Sequence, residues 1–193
     1  MASQTSPLLS PEQYLEIDSR AERPSEYYDG VMYPIEATSL RHGRIQQNIA
    51  FGLRQRLQGP SPCEAHGPTI RVKLPNKRYA YPDVVVVCGK IEVDAKKYDT
   101  VLNPTVVVEI LSPSTADFDR GAKANLYRAI PTLRDFVIVA QDRMLVQLYK
   151  RQQDDVWTLL QFSQADSRLP LDSIGVQFAL QEIYERVEFD PEA

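Results

Sequence analysis

The chain reads as an α/β protein: a central mixed β-sheet flanked by helices, with an N-terminal helix and β-hairpin in front of it. Three observations predict this class. Residues 84–87 and 106–111 are apolar runs without polar alternation, as in strands covered on both faces. Ile45, Ile49, Leu53 and Leu57 recur every four residues, the stripe of a long helix with one buried face. Asp29-Gly30, a dipeptide favoured in tight hairpin turns, stands between two strand-like segments. With 193 residues, 43% hydrophobic and 25% charged, the chain can bury one substantial core, and a single domain over 1–193 is expected.

The elements follow in order. Residues 1–9 read as a disordered lead-in. Ser10-Pro11-Glu12-Gln13 offers a cap, a first-turn proline and a reciprocal cap for a short packing helix. Ser25 to Tyr28, carrying Glu26, and Val31 to Ile35 form the hairpin arms. Ser39 opens the long helix, and Gly59-Pro60-Ser61-Pro62 ends it. A strand from Thr69 to Leu74 places Ile70, Val72 and Leu74 on one side and Arg71 and Lys73 on the other. It turns through Pro75-Asn76-Lys77 into a second strand from Arg78 to Val87. Lys90 to Asn103 is charged and reads as a surface excursion. After the strand ending at Leu111, Pro113 breaks the chain, and Ser114, Thr115 or Asp117 caps a helix running to about Ile130. Arg134 to Ala140, Met144 to Arg151 and Val156 to Phe162 are three further strands. Gln177 to Arg186 is a final short helix.

A formal charge of -4 and a pI near 5.3 argue against nucleic-acid binding by bulk electrostatics, while leaving room for a local basic groove. Arg41, Arg44, Arg54, Arg56, Lys73, Lys77 and Arg78 read as solvated faces in preference to a phosphate-facing surface. Cys63 and Cys88 are too few for a zinc cluster and read as reduced thiols. No secretory signal is visible, and no apolar stretch approaches the roughly 20 residues of a membrane span, so a cytoplasmic protein without a membrane segment is expected. Phosphate-loop, dinucleotide and serine-hydrolase patterns are all missing.

Asp83 stands at the head of the first apolar run and Glu109 interrupts the second. A carboxylate in a strand covered on both faces is costly without a partner. Two neighbouring strands that each bring one to a common point make a hard-oxygen site suited to magnesium. The plainer alternatives are a strand-starting aspartate after Pro82 and, for Glu109, an edge position or an ion pair with arginine. Lys123 lies four residues after Asp119 and four before Tyr127, on one helical face. Its ammonium either aims back at the two carboxylates or pairs with Asp119 in solvent. Tyr127 reads as aromatic core beside the site, and Arg120 as a phosphate contact or a solvated side chain. His42 lies off the apolar stripe and reads as a solvated helix-start residue; as a ligand it needs company, which Glu26 could give. His66 lies in a Pro/Gly-rich loop outside any zinc pattern.

These residues sit within Ser25-Glu26-Tyr27-Tyr28-Asp29-Gly30, Arg41-His42, Tyr81-Pro82-Asp83, Glu109 to Thr115, Asp119-Arg120-Gly121-Ala122-Lys123 and Tyr127. On them, over nearly its whole length, the chain resembles the Uma family of restriction-endonuclease-like proteins, in the PD-(D/E)XK nuclease superfamily. The resemblance implies a restriction-endonuclease-like fold and a Mg2+ (or Mn2+) ion held by Asp83, Glu109 and the Ile110 backbone carbonyl. It further implies that Lys123 assists catalysis, that Glu26 and His42 complete the metal shell and orient water, that DNA is the substrate, and that double-strand cleavage uses a homodimer. The superfamily usually has a lysine two residues after the glutamate; here that position is Leu111, and Lys123 on the next helix takes its place. The competing functions are a nucleic-acid-binding or regulatory module of the same fold that does not cleave, and a structural protein whose carboxylates sit in internal ion pairs.

Overall fold

The protein is described by a computed structural model at residues 8–94, 100–111, 119–153 and 156–190, with the side chains of Asp119 and Arg120 outside that description. Helix α1 (Pro11–Asp18) is opened by Ser10, whose hydroxyl accepts from the Gln13 N–H while the Gln13 side chain accepts from the Ser10 N–H. Strands β1 (Ser25–Tyr28) and β2 (Val31–Pro34) pair across Asp29 and Gly30, both at positive φ (49° and 94°), as primed hairpin turns require. Helix α2 (Leu40–Arg56) is capped by Ser39. Strands β3 (Cys63–His66), β4 (Arg71–Leu74), β5 (Arg78–Ala80), β6 (Val84–Cys88), β7 (Thr100–Val101) and β8 (Val106–Leu111) follow. A π-helical turn, Asp119–Lys123, runs into α3 (Ala124–Arg128). The chain continues through β9 (Asp135–Ala140), β10 (Val146–Arg151), β11 (Trp157–Phe162), β12 (Arg168–Leu171), β13 (Val176–Ala179) and α4 (Leu180–Ile183).

The expected central mixed sheet has six strands in the order β11-β10-β9-β8-β6-β3, with β8 and β9 parallel and the other pairs antiparallel. Alternation along β8 divides its side chains between two faces. Val106, Val108 and Ile110 pack with Ile45, Ile49 and Leu53 of α2 and with β12, β13 and α4. Val107 and Leu111 pack on the other face with Ala124 and Tyr127 of α3 and with Val72 and Leu74 of β4. α2 lies close to its neighbours: a Cβ on Gly52 would stand 2.4 Å from the Phe178 ring, so glycine is what the contact admits.

A second sheet, β2-β1-β5-β4-β7, is continuous in sequence with the first through Tyr81-Pro82-Asp83. Pro82 has no N–H to donate to a ladder, which breaks the expected single strand into β5 and β6. α1 is fastened to this sheet by a buried ion pair, Arg71 Nη1 to Asp18 Oδ2 at 2.7 Å. Asp18 also accepts from the Ser25 N–H and the Tyr81 hydroxyl, and Arg71 donates to Thr100 Oγ1.

Several expectations need correction. Leu9, read as part of the lead-in, is bonded to the hairpin: its N–H donates to the Gly30 carbonyl and its carbonyl accepts from the Tyr27 hydroxyl; residues 1–7 lie outside the described residues. Thr100 and Val101 are a buried strand in the segment read as a surface excursion. His66, read as lying in a loop, ends an edge strand, Cys63–His66, that is short and has glycine and proline on both sides. The final segment is a strand before it is a helix, with Val176 and Phe178 turned inward at strand spacing. The two cysteines, expected to be reduced, are register partners on β3 and β6 and are joined as a disulfide; their 25-residue separation gives no sign of the contact. No helix among the described residues is long and apolar enough to cross a membrane.

Asp135, fully buried at the start of β9, accepts from the Ser173 hydroxyl through one oxygen and leaves the other without a partner among the described residues. Burial raises its carboxyl above the ordinary value, and the Ser173 hydrogen bond only partly offsets this. A carboxyl with a raised folded-state pKa takes up protons on folding, so stability falls as pH rises from the unfolded value of about 3.9 through the folded one. Asp135→Asn is therefore expected to melt higher than the parent at pH 7, with the gap closing below about pH 4. Melts of both proteins across that range test this; a gap independent of pH would show that the charge of Asp135 carries no such cost.

Candidate active site

β6 and β8 pair with Val84 opposite Val108 and Val85 opposite Val107. Asp83 immediately precedes Val84 at the head of β6, and Glu109 immediately follows Val108 on β8. Glu109 shares a face with Val107 and Leu111, beneath α3, and Lys123 at the end of the π-helical turn and Tyr127 of α3 both reach it. Lys123 Nζ lies 3.0 Å from Glu109 Oε1, and the Tyr127 hydroxyl donates to the same oxygen at 2.7 Å. Leu111, at the usual place of the lysine, is buried core.

The hairpin brings a third carboxylate. Glu26 Oε1 lies 2.9 Å from Lys123 Nζ and also accepts from the Tyr81 N–H, while Glu26 Oε2 accepts from the Tyr28 hydroxyl at 3.0 Å. On the other side α2 holds Asp83. His42 Nε2 lies 2.7 Å from Asp83 Oδ1, and Gln46 Nε2 donates to the Asp83 main-chain carbonyl and to Oδ1. The Ile110 N–H donates to Asp83 Oδ2 at 2.7 Å. His42 is thus buried and not solvated: it precedes Ile45 and Ile49 by three and seven residues, which returns it to the core-facing side of α2.

Side-chain exposure is 14% for Glu26 and Asp83, 6% for Glu109 and 7% for Lys123. Shielding strengthens the Lys123 ion pairs with Glu26 and Glu109 and the His42 contact with Asp83. Burial, reinforced by the Glu109 charge, pushes the Tyr127 hydroxyl well above its ordinary value, and burial likewise raises Tyr28. Both remain neutral O–H donors to the carboxylates.

Among the described residues, no three or more His, Cys, Asp or Glu side chains are grouped so as to enclose an ion by themselves. The donor chemistry nevertheless fits magnesium, which keeps several waters and is held through one or two carboxylates together with substrate phosphate oxygens. Asp83 and Glu109 offer carboxylates of that kind.

Of the residues singled out from the sequence, His42, Asp83 and the Ile110 N–H form one hydrogen-bonded group and Glu26, Glu109, Lys123 and Tyr127 another, the two meeting at the Glu109–Ile110 peptide bond. The Arg120 side chain lies outside the described residues, as does that of Asp119. Gln46 and Tyr28 escaped sequence reasoning, and only the four-residue step from His42 to Gln46 could have pointed to one of them. The basic residues of α2 and the second hairpin mostly have structural partners: Arg41 with Asp190, Arg56 with Glu182, Lys73 with Asp94, Lys77 with Glu12 and Arg78 with Asp29.

The family described as "Uma2: Putative restriction endonuclease" matches residues 11–181. The chain is 36% identical over 184 residues to the uncharacterised protein slr1290 of Synechocystis sp., covering 95% of each chain. It is 29% identical over 160 residues to sll1609 of the same organism, covering 82% of this chain and 90% of that one. A crystal structure from Anabaena variabilis, described as a putative nuclease belonging to DUF820, superposes with a TM-score of 0.75 at 16% identity, over 91% of this chain and 97% of that one. At that identity the likeness establishes the shared fold.

Proposed function

Since the chain belongs to the Uma2 family of restriction-endonuclease-like proteins, we propose that it is a divalent-metal-dependent endonuclease hydrolysing DNA phosphodiester bonds. What supports this reading is that Asp83 immediately precedes β6 and Glu109 lies on its paired neighbour β8, with the Ile110 N–H donating to Asp83 Oδ2 and Lys123 Nζ 3.0 Å from the glutamate. Asp83 and Glu109, with the Ile110 carbonyl, would hold Mg2+ or Mn2+. Such an ion polarises a phosphoryl oxygen and lowers the pKa of a water molecule.

The chain's own residues do the rest. His42 fixes Asp83 through Oδ1, and the Ile110 N–H fixes it through Oδ2. Tyr127 and Lys123 fix Glu109. The Lys123 ammonium supplies a positive charge where water attacks phosphorus and where negative charge grows on the phosphate as the ester P–O bond breaks. Glu26 holds that ammonium in place. Cleavage of both strands would call for a second copy, so a homodimer belongs to the proposal. So does a cytoplasmic location beside the DNA, although the Cys63–Cys88 bond is unusual for a reducing compartment.

The expected result is nicking or linearisation of supercoiled plasmid in Mg2+ or Mn2+ and none in EDTA. DNA retained equally in EDTA, with no cleavage in either metal, would instead identify a binding module that does not cut.

A further inference from the structure

We propose that Gln46 is a positioning residue for the metal site, setting the direction in which Asp83 presents its remaining lone pair. This rests on Asp83 being a metal ligand, as proposed above. Gln46 stands one helical turn after His42 on the same face of α2, so the two side chains reach Asp83 together. Its amide nitrogen donates to the Asp83 main-chain carbonyl at 3.1 Å and to Oδ1 at 3.3 Å. One group therefore grips both the backbone and the carboxylate of the same residue, which opposes rotation about the bonds between them.

With His42 also at Oδ1 and the Ile110 N–H at Oδ2, three donors occupy a carboxylate that offers about four lone-pair directions. The carboxylate can then accept an ion from one side only. Partners of this kind typically change metal affinity by about 10–100-fold when removed.

The test is Gln46→Met, which keeps the length and loses both donors. Mn2+ binding is titrated by electron paramagnetic resonance on parent and variant, alongside apo melting and DNA retention in EDTA. The expected result is a Mn2+ dissociation constant raised about 10–100-fold, DNA retention unchanged in EDTA, and cleavage recovering as Mn2+ is raised. A Mn2+ affinity equal to the parent's, with only the apo melting temperature lowered, would overturn the positioning role and leave Gln46 as a packing residue. A parent that binds no Mn2+ would sink the metal reading of Asp83 itself and this inference with it. Should Gln46→Met fail to fold, Gln46→Asn, which keeps the amide one methylene short, is read by the same criteria.

Discussion

Asp83→Asn is expected to lower magnesium-dependent DNA cleavage by roughly 10³-fold or more while leaving the protein folded. The substitution keeps the shape of the side chain and removes its charge. An asparagine oxygen can still accept from the Ile110 N–H, and its amide can donate to a neutral His42 ring, so the folding cost stays near that of one hydrogen bond, about 1 kcal/mol. The loss in chemistry is larger, because half of the anionic oxygen pair is gone. Charge stabilisation by a held ion is worth several kcal/mol, and about 4 kcal/mol corresponds to three decades in rate. Single-turnover cleavage of plasmid DNA by both proteins measures this. A variant that cuts within about tenfold of the parent would remove Asp83 from the chemistry.

Arg71→Ala carries the largest expected effect on stability. Arg71 and Asp18 have side-chain exposures of 5% and 1%, so removing the guanidinium strands a carboxylate that keeps, among the described residues, the Ser25 N–H and the Tyr81 hydroxyl. Breaking a buried ion pair on one side costs about 3–5 kcal/mol, or about 6–20 °C for a protein of this size. The guanidinium also lies 5.7–5.9 Å from the Tyr14, Tyr79 and Tyr81 ring centroids, so its loss loosens the contact between α1 and the second sheet. Thermal melts of Arg71→Ala and of Arg71→Ala with Asp18→Ala separate the causes. The double variant is expected to recover part of the loss, since it buries no lone charge. A loss under about 1 kcal/mol in the single variant would show that Asp18 finds water instead.

Much of this arrangement is legible in the sequence, for identifiable reasons. The valine runs mark β6 and β8 because strands covered on both faces need no polar alternation, and the hairpin announces itself through Asp29-Gly30. Glu109 stands out because nothing else charged interrupts its run. His42 was legible as a residue type but not in its environment: a three- and seven-residue step to Ile45 and Ile49 puts it on the buried side, yet a four-residue count from Ile45 onward hides this. The Asp18–Arg71 pair was not legible, since Arg71 alternates with Ile70 and Val72 as a solvated residue would and its partner lies 53 residues away. The Cys63–Cys88 contact was hidden in the same way, because it depends on pairing between β3 and β6. The strand at Val176–Ala179 was hidden for another reason: it is four residues long, pairs through a short turn with Arg168–Leu171 and runs straight into α4.

The most direct measurement is the melting temperature of the parent and of Asp83→Asn in EDTA and in rising Mg2+ or Mn2+. At a free ion concentration about 100 times the dissociation constant, a site present only in the folded state adds about 2.7 kcal/mol, or about 5–11 °C for a chain of this length. The parent should climb in this way and Asp83→Asn should stay flat. A parent indifferent to both ions, or a variant that gains as much as the parent, would rule out an ion shared by Asp83 and Glu109.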